Sequence, residues 1–392
     1  MQTLAEHVDI LVVGGGPVGA LAALKLAEAG HQVMLVEARA AGTPLRDARA
    51  LALSWASRAA LLQAGIWDEQ LPASVIDEVH VSQQESWGRT VLSRDDLGLP
   101  HLGVVIDYAA LTVSLERRLA AAALPVVWQT RVTGINPLAR YVRVEMEHEG
   151  AEHVMTARLV ILAEGGTLSD GLPGVERRVH DYHQCALLAD VSTDMPPCGI
   201  AYERFARRGP LALLPRENSY MLVWTRSPDD ALRLTEAPEA ELLAELQDAM
   251  GERLGTFQSA SARAIFPLTL RQVNKPVSGR VVLIGNASQT LHPVAAQGLN
   301  LGIRDAMELA HALRGISDPG NETALARFAH KRRLDKNAVI GFTHGLVQFF
   351  DHHSALVSAV RGFGMNLLDI APPLRRRFTS HLVFGVGAGP QR

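Results

Sequence analysis

HVDILVVGGGPVGALAALKLAEAGHQVMLVE, residues 7–37, strings a strand, a glycine turn, a helix, a second strand and an acid into one run. The apolar stretch from His7 reads as a short strand that ends on glycines. Gly14, Gly16 and Gly19 fit G-x-G-x-x-G, Pro17 to Ala29 reads as the following helix, and Gln32 to Val36 as the next strand. Glu37 closes that strand about 20 residues past the glycines, the distance at which an acid meets a ribose. The first glycine permits a tight turn and the second lets backbone approach a pyrophosphate. The third lets helix and strand pack closely, while the helix N-terminus faces the phosphate charge. A glycine-rich turn without a ligand needs neither the ordered elements nor the acid, so the run reads as a dinucleotide site. A carboxylate at Glu37 accepts from ribose hydroxyls and disfavours a 2′-phosphate, which leaves FAD or NAD.

Two further stretches repeat the strand-then-glycine pattern, Thr156 to Gly166 and Gly279 to Asn286. In a parallel α/β sheet, ligands lie outside the carboxyl ends of strands. Three such ends suit one extended ligand, and a return to the site near residue 285 favours FAD over NAD. The chain of 392 residues is long enough for two domains, and 47% apolar residues supply a core. A net charge of −3 gives no case for nucleic-acid binding. No apolar run approaches the roughly 20 residues that span a bilayer. Cys185 and Cys198, without a signal-peptide pattern at the start, read as reduced thiols of a cytoplasmic protein.

Between the glycine strands the texture changes to short alternating stretches, such as Ser219 to Thr225. Tyr202 to Pro215 reads as two strands around a Gly-Pro turn, and Pro238 to Leu254 as one helix crossing the sheet. The fold class is therefore α/β: a Rossmann-like FAD-binding domain, an inserted β-sheet substrate domain and a helical C-terminal region. The expected boundaries are 1–74, 106–183 and 268–325 for the first, 75–105 and 184–267 for the second, and 326–392 for the third. Lys331-Arg-Arg333 reads as a basic, polar stretch of that last region.

With these motifs in place, the chain resembles the FAD-dependent aromatic hydroxylases of the para-hydroxybenzoate hydroxylase type, and within them the ubiquinone-biosynthesis branch that acts on polyprenylated methoxyphenols. The carrying segments are VVGGGPVGA, DARALAL from Asp47, AYERFARRGPLALLP from Ala201, and IGNASQTLHPVAAQGLNLGIRD from Ile284. The Gly-Asn-Ala of the last, where most relatives carry Gly-Asp-Ala, is characteristic of this branch. The similarity runs from the first strand to about Arg361.

The resemblance implies that Gly14, Gly16, Pro17, Val18, Gly19, Glu37 and Ala38 hold the ADP half of FAD, with Val132, Glu164 and Gly165 alongside. It brings Arg49 toward the flavin side. It sets Gly285 and Asn286 at the ribityl and pyrophosphate region, with Pro293 and His292 beside the ring. Gln297, Gly298, Leu299 and Asn300 would offer backbone groups to the pyrimidine edge from a helix N-terminus, which stabilises negative charge on reduced flavin. Two residues keep second readings: Arg49 as a surface ion-pair partner, and His292 as a structural histidine of the loop. Asp351-His352-His353 resembles metal ligands only on paper, since neighbouring histidines on a helix point apart, and no metal is expected.

The implied reaction uses O2 and NAD(P)H, through a flavin hydroperoxide, to hydroxylate the aromatic ring of a polyprenylated phenol. One fingerprint leaves NAD(P)H as a transient reductant. The sequence departs from the family at the mid-chain segment: aligned on Gly-Thr-x-Ser, Gly165 stands where Asp is expected, and the carboxylate moves back to Glu164. Ala296 replaces a glycine common in the last loop, and the usual flavin contact near Asp107-Tyr108 is not evident. A same-fold reductase or oxidase, or a non-catalytic FAD-containing subunit of a quinone-synthesis complex, therefore stays open beside the hydroxylase. Apolar residues such as Phe342, Phe349, Phe363 and Leu367, followed by Arg375-Arg-Arg377, fit an amphipathic surface for the inner membrane face or for other quinone-biosynthesis proteins. They equally fit a tail packed on the core with solvated arginines.

Overall fold

The computed structural model describes residues 5–43, 49–84, 87–292, 296–351 and 355–386, with side chains described outside 346–361. Its first sheet is built around five parallel strands, in the order Val281–Leu283, Ala151–Leu162, His7–Val13, Val33–Val36 and the short Val126–Val127, the first four of which matter here. Ile10 and Val12 face one core beneath helix Pro17–Glu28, while Leu11 and Val13 face another with Val144, Met146 and Met155. Burial on both faces is why the first strand reads as an unbroken apolar run. Val36, Val13, Leu162 and Leu283 lie side by side, so all four strands end level at one edge. Glu37, Gly14, Ala163 and Ile284 leave the sheet there together.

Helix Pro17–Glu28 packs closely on this sheet and on helix Gln297–Leu313. Gly19 is what allows it: a Cβ there would stand 2.0 Å from the Gly14 carbonyl oxygen. Gly302 plays a matching part, since its Cβ would approach Val18 to 2.7 Å.

The second sheet has eight strands, running from Gln289–Thr290 through Phe257–Val273 and Arg177–Thr193 to Ile200–Ala206, Glu78–Gln83 and Arg89–Ser93. Two of its strands, Glu78–Gln83 and Arg89–Ser93, come from earlier in the chain, and Glu78–Gln83 runs parallel to Ile200–Ala206. The two 17-residue strands run straight through the positions expected as boundaries near 183 and 267. A three-stranded sheet of Ala50–Ser54, Gly103–Asp107 and Ala73–Ile76 lies between the two larger ones. Arg216 joins these parts, donating to Asp107 at 2.8 Å and to Asp190 at 2.9 Å.

Three local expectations change. The turn after Ile200–Ala206 is Arg207-Arg208, and Gly209-Pro210 already belongs to the next strand, where Gly209 takes φ +123°. The sheet's outer face is covered by two helices rather than one, Pro228–Glu236 and Glu239–Met250. Ser227 caps the first by accepting from the Asp230 amide, and Pro238 starts the second. Within Lys331-Arg-Arg333, Arg332 is buried, ion-paired to Asp305 at 2.6 Å and to Asp335 at 2.7 Å. That network fastens helix Gln297–Leu313 to Glu322–Asp351, after which Ala355–Ile370 and Pro372–Phe384 complete the chain's helical end.

Candidate active site

The level strand ends open onto a cleft of about 590 Å³. Gly14, Gly16, Pro17, Val18, Glu37, Ala38, Arg49, Val132, Glu164, Gly165, Gly285, Asn286, Gly298 and Leu299 line it, as the expected cofactor contacts would. Gly14 takes φ +103°, and a Cβ on it would press on the Ala163 carbonyl at 2.8 Å. A Cβ on Gly16, by contrast, would meet nothing within 4 Å. The space in front of Gly16 therefore belongs to the cleft, at the start of helix Pro17–Glu28, where backbone N–H groups favour an anion. Glu37 is held by two backbone amides, Gly15 at 2.5 Å and Arg39 at 2.9 Å. Its carboxylate is thus fixed beside the glycine turn, where a ribose of a dinucleotide would lie. The donor set and the open space fit FAD.

The mid-chain departure has a geometric basis. Gly165 sits at φ +101°, a conformation L residues rarely adopt, so this turn favours glycine. The neighbouring carboxylate folds back on its own loop: Glu164 Oε2 accepts from the Gly166 amide at 3.0 Å, the Thr167 amide at 2.9 Å and the Thr167 hydroxyl at 2.8 Å.

At the other end, the Arg49 guanidinium lies 5.6 Å from the ring centres of both Tyr108 and Phe266. This cation–π sandwich puts a positive charge on the cleft wall. Gly285, at φ +56°, donates its amide to Asp305 at 3.1 Å. Asp305 also accepts from Gln289 at 2.8 Å, so the loop after the third glycine strand hangs from one buried carboxylate.

Four expected residues stand elsewhere. Gly19 lies beneath the turn, in the packing role described above. Gln297 and Asn300 line a neighbouring cavity rather than the cleft, because they project from the opposite side of the helix start to Gly298 and Leu299. Asn300 joins that helix to strand Ala50–Ser54, accepting from the Ser54 amide at 2.9 Å and donating to the Ala52 carbonyl at 3.0 Å. His292 is 1% exposed and meets Tyr182 edge-on at 5.2 Å, and Tyr182 in turn pairs with His344 at 3.0 Å. Burial pulls the His292 pKa down to about 4 and pushes Tyr182 up to about 12, so both are neutral near pH 7. Pro293 lies outside the described residues, as do His352 and His353. No group of three metal-ligating side chains occurs among the described residues.

The neighbouring cavity, about 500 Å³, lies between the edge of the second sheet and the last two helices. Its walls are apolar, including Val79, Val81, Leu92, Phe205, Met365 and Phe378. Glu203 is the one ionisable group among its described lining residues. Glu203 stands inside the AYERFARRGPLALLP segment, where the resemblance assigns it no role. The available signal was the alternation Ala201, Glu203, Phe205, which puts an acid on an apolar face.

The family described as FAD binding domain matches residues 7–343. The 3-demethoxyubiquinol 3-hydroxylase of Escherichia coli is 32% identical, across 94% of this chain and 92% of its own. The ubiquinone hydroxylase UbiL of Rhodospirillum rubrum is 30% identical, across 98% and 91%. Among solved structures, p-nitrophenol 4-monooxygenase PnpA from Pseudomonas putida has the same fold, with a TM-score of 0.79 at 19% identity over 98% of this chain and 100% of its own.

Proposed function

The chain belongs to the FAD binding domain family, and from that premise we propose that it hydroxylates the aromatic ring of a polyprenylated phenol in ubiquinone biosynthesis. It is an FAD-dependent monooxygenase, and the two relatives above are named as ubiquinone-pathway hydroxylases. The observation that carries the reading is the cleft at the level strand ends, open in front of Gly16 and closed everywhere else around the turn. FAD, when bound, supplies two-electron chemistry with a reductant and transfer of one oxygen atom from O2 to the ring.

The chain's own residues bind, orient and exclude water. The Gly14–Gly16 turn and the start of helix Pro17–Glu28 serve as a Rossmann-like cradle for pyrophosphate, and Glu37 takes ribose hydroxyls. Gly298 and Leu299 present backbone at the start of helix Gln297–Leu313, where the helix dipole favours negative charge. His292 and Tyr182 pack edge to face as neutral groups and add no charge there. NAD(P)H serves as a transient reductant without a fold of its own.

No helix among the described residues is long and apolar enough to cross a membrane. A cytoplasmic enzyme with a membrane-borne substrate then meets it peripherally, alone or beside other quinone-biosynthesis proteins. Phe363, Leu367 and Ile370 support this, forming an outward stripe at helical spacing with Leu374 and the exposed Arg376 and Arg377 beyond.

Anaerobic mixing with NADPH or NADH, with and without a methoxyphenol analogue, tests the reading through the flavin spectrum. Bleaching that quickens with the phenol, followed by hydroxylated product on admitting O2, is expected. Flavin that stays oxidised, or hydrogen peroxide without product, would overturn it in favour of a different flavoprotein.

A further inference from the structure

The apolar cavity beside the cleft contains two polar side chains that the protein leaves unsatisfied. Thr90 is 2% exposed and lines the cavity, and no hydrogen bond reaches its Oγ1. Glu203 lines it two strands away: Glu203 pairs with Val81, and Val81 with Thr90. All three face the same way, as Val79, Leu92 and Phe205 do. Among the described residues nothing donates to or pairs with the Glu203 carboxyl. Burial alone pushes its pKa up to about 8, and the exposure it retains is toward the cavity. Near neutral pH it is mainly an uncharged acid with an O–H to give.

An unpartnered buried polar group costs about 1–3 kcal/mol, and proteins seldom retain one without a use. Two on one wall, amid apolar side chains, describe a ligand that is mostly apolar and bears oxygen at two places. Two strand spacings separate them, about 10 Å. Two hydrogen bonds of about 2.8 Å each leave room between them for a ring with oxygens on both sides.

We propose that Glu203 and Thr90 are the polar anchors of a subsite for a neutral, oxygen-bearing ring carrying an apolar chain. This rests on the hydroxylase reading above for the identity of that ring as the phenolic substrate or its product. The Glu203 O–H donates to one ring oxygen and the Thr90 hydroxyl bonds the other, while Val79, Leu92, Met365 and Phe378 enclose the chain. The cavity's outer wall is the pair of helices that carries the exposed Phe363 and Ile370, so the subsite stands between that surface and the cleft. Asn300 and Gln297 form the partition on the cleft side.

Calorimetric titration of the holoenzyme with 2-geranyl-4-methoxyphenol, whose two oxygens lie on opposite sides of the ring, and with geranylbenzene, which lacks the oxygens, tests the subsite. Wild type should prefer the oxygenated probe by about tenfold. Glu203→Leu should lose that preference while still binding geranylbenzene, and Glu203→Gln, which keeps a neutral donor, should retain most of it. Thr90→Val, nearly isosteric, should lose about threefold. An unchanged preference in both Glu203→Leu and Thr90→Val overturns the proposal, as does equal binding of the two probes to wild type. Turnover measured on the same wild-type preparation separates the two claims. Preference lost in the variants without wild-type hydroxylation sinks the hydroxylase reading and leaves the subsite. Hydroxylation with preference unchanged in the variants sinks the subsite alone.

Discussion

Asp305 accepts the Gly285 amide at 3.1 Å while its other oxygen holds Arg332 at 2.6 Å, so one buried carboxylate couples the cofactor loop to the C-terminal helices. Removing one partner of a buried pair leaves the other charge uncompensated, at a cost of about 3–5 kcal/mol. Asp305→Ala is therefore expected to lower unfolding stability by that order and to shed FAD on gel filtration. Asp305→Leu combined with Arg332→Met should recover part of the stability and none of the FAD retention, because Gly285 still lacks its acceptor. Denaturant unfolding and flavin content, read on the same preparations, check both halves. Full FAD retention in the double variant would refute the positioning role.

Gly16 and Gly19 should separate binding from folding. A Cβ on Gly16 enters empty cleft, whereas one on Gly19 meets the Gly14 oxygen at 2.0 Å. Gly16→Ala should leave the melting temperature of the FAD-free protein nearly unchanged and weaken FAD binding at least tenfold. Gly19→Ala should destabilise the protein by several kcal/mol, since helix and strand must move apart. Equal effects of the two substitutions on stability would show that the space before Gly16 is not a ligand's.

The glycine fingerprint was legible because its elements are adjacent in the chain, and so is the spacing that carries their physics. The second sheet was legible as texture, through the alternation of strands such as Ser219–Arg226. Its continuity was not: Arg177–Thr193 and Phe257–Val273 are one paired ribbon, and nothing local distinguishes a 17-residue strand from two shorter ones that stop at a domain edge. Arg332 reads only as part of a basic, polar stretch with Lys331 and Arg333 because its partner Asp305 lies on another helix. Glu203 and Thr90 meet only through strand register, across Val81, which no single segment encodes. Local signals thus revealed the cofactor cleft, while the second cavity exists only in the assembled sheet.

Gly165 stands where the resemblance implies an Asp, and its φ of +101° predicts what introducing the acid would do. Gly165→Asp should cost about 1–3 kcal/mol of stability, since no L side chain is comfortable there. If an acid at this position assists reduction by a nicotinamide, the rate of anaerobic flavin reduction should rise in the same variant. A loss of stability with no change in reduction rate would show that Glu164, held by Gly166 and Thr167, already meets the need.

Phe363 and Ile370 are 69% and 76% exposed on the helix that walls the apolar cavity. Exchanging both for Ser should leave FAD content unchanged and reduce flotation with anionic liposomes about tenfold or more, as the apolar area that enters the lipid is lost. High salt should weaken wild-type flotation through Arg376 and Arg377. Unaltered flotation in the double Ser variant would reassign the stripe to a contact other than lipid.

The Glu203 carboxyl also leaves a mark on stability that no ligand is needed to read. Its folded pKa of about 8 lies above the ordinary value of 4.5, so the folded protein keeps a proton that the unfolded chain has already lost. Stability attributable to it is present below the unfolded value and declines as pH rises toward 8. His292 acts with the opposite sign, because its folded pKa of about 4 lies below its ordinary value of 6.5, and its effect ends at 6.5. Lys336, lowered by burial from 10.5 to about 8, also has the sign opposite to Glu203, but acts mainly from about pH 8 upward. Between pH 6.5 and 8 the Glu203 slope stands apart from both, and its integral is about 2 kcal/mol. Wild type should therefore lose urea stability across that interval while Glu203→Gln stays level. Parallel profiles for the two proteins would mean that the carboxyl is ionised in the folded state, and that its O–H is not there to be given.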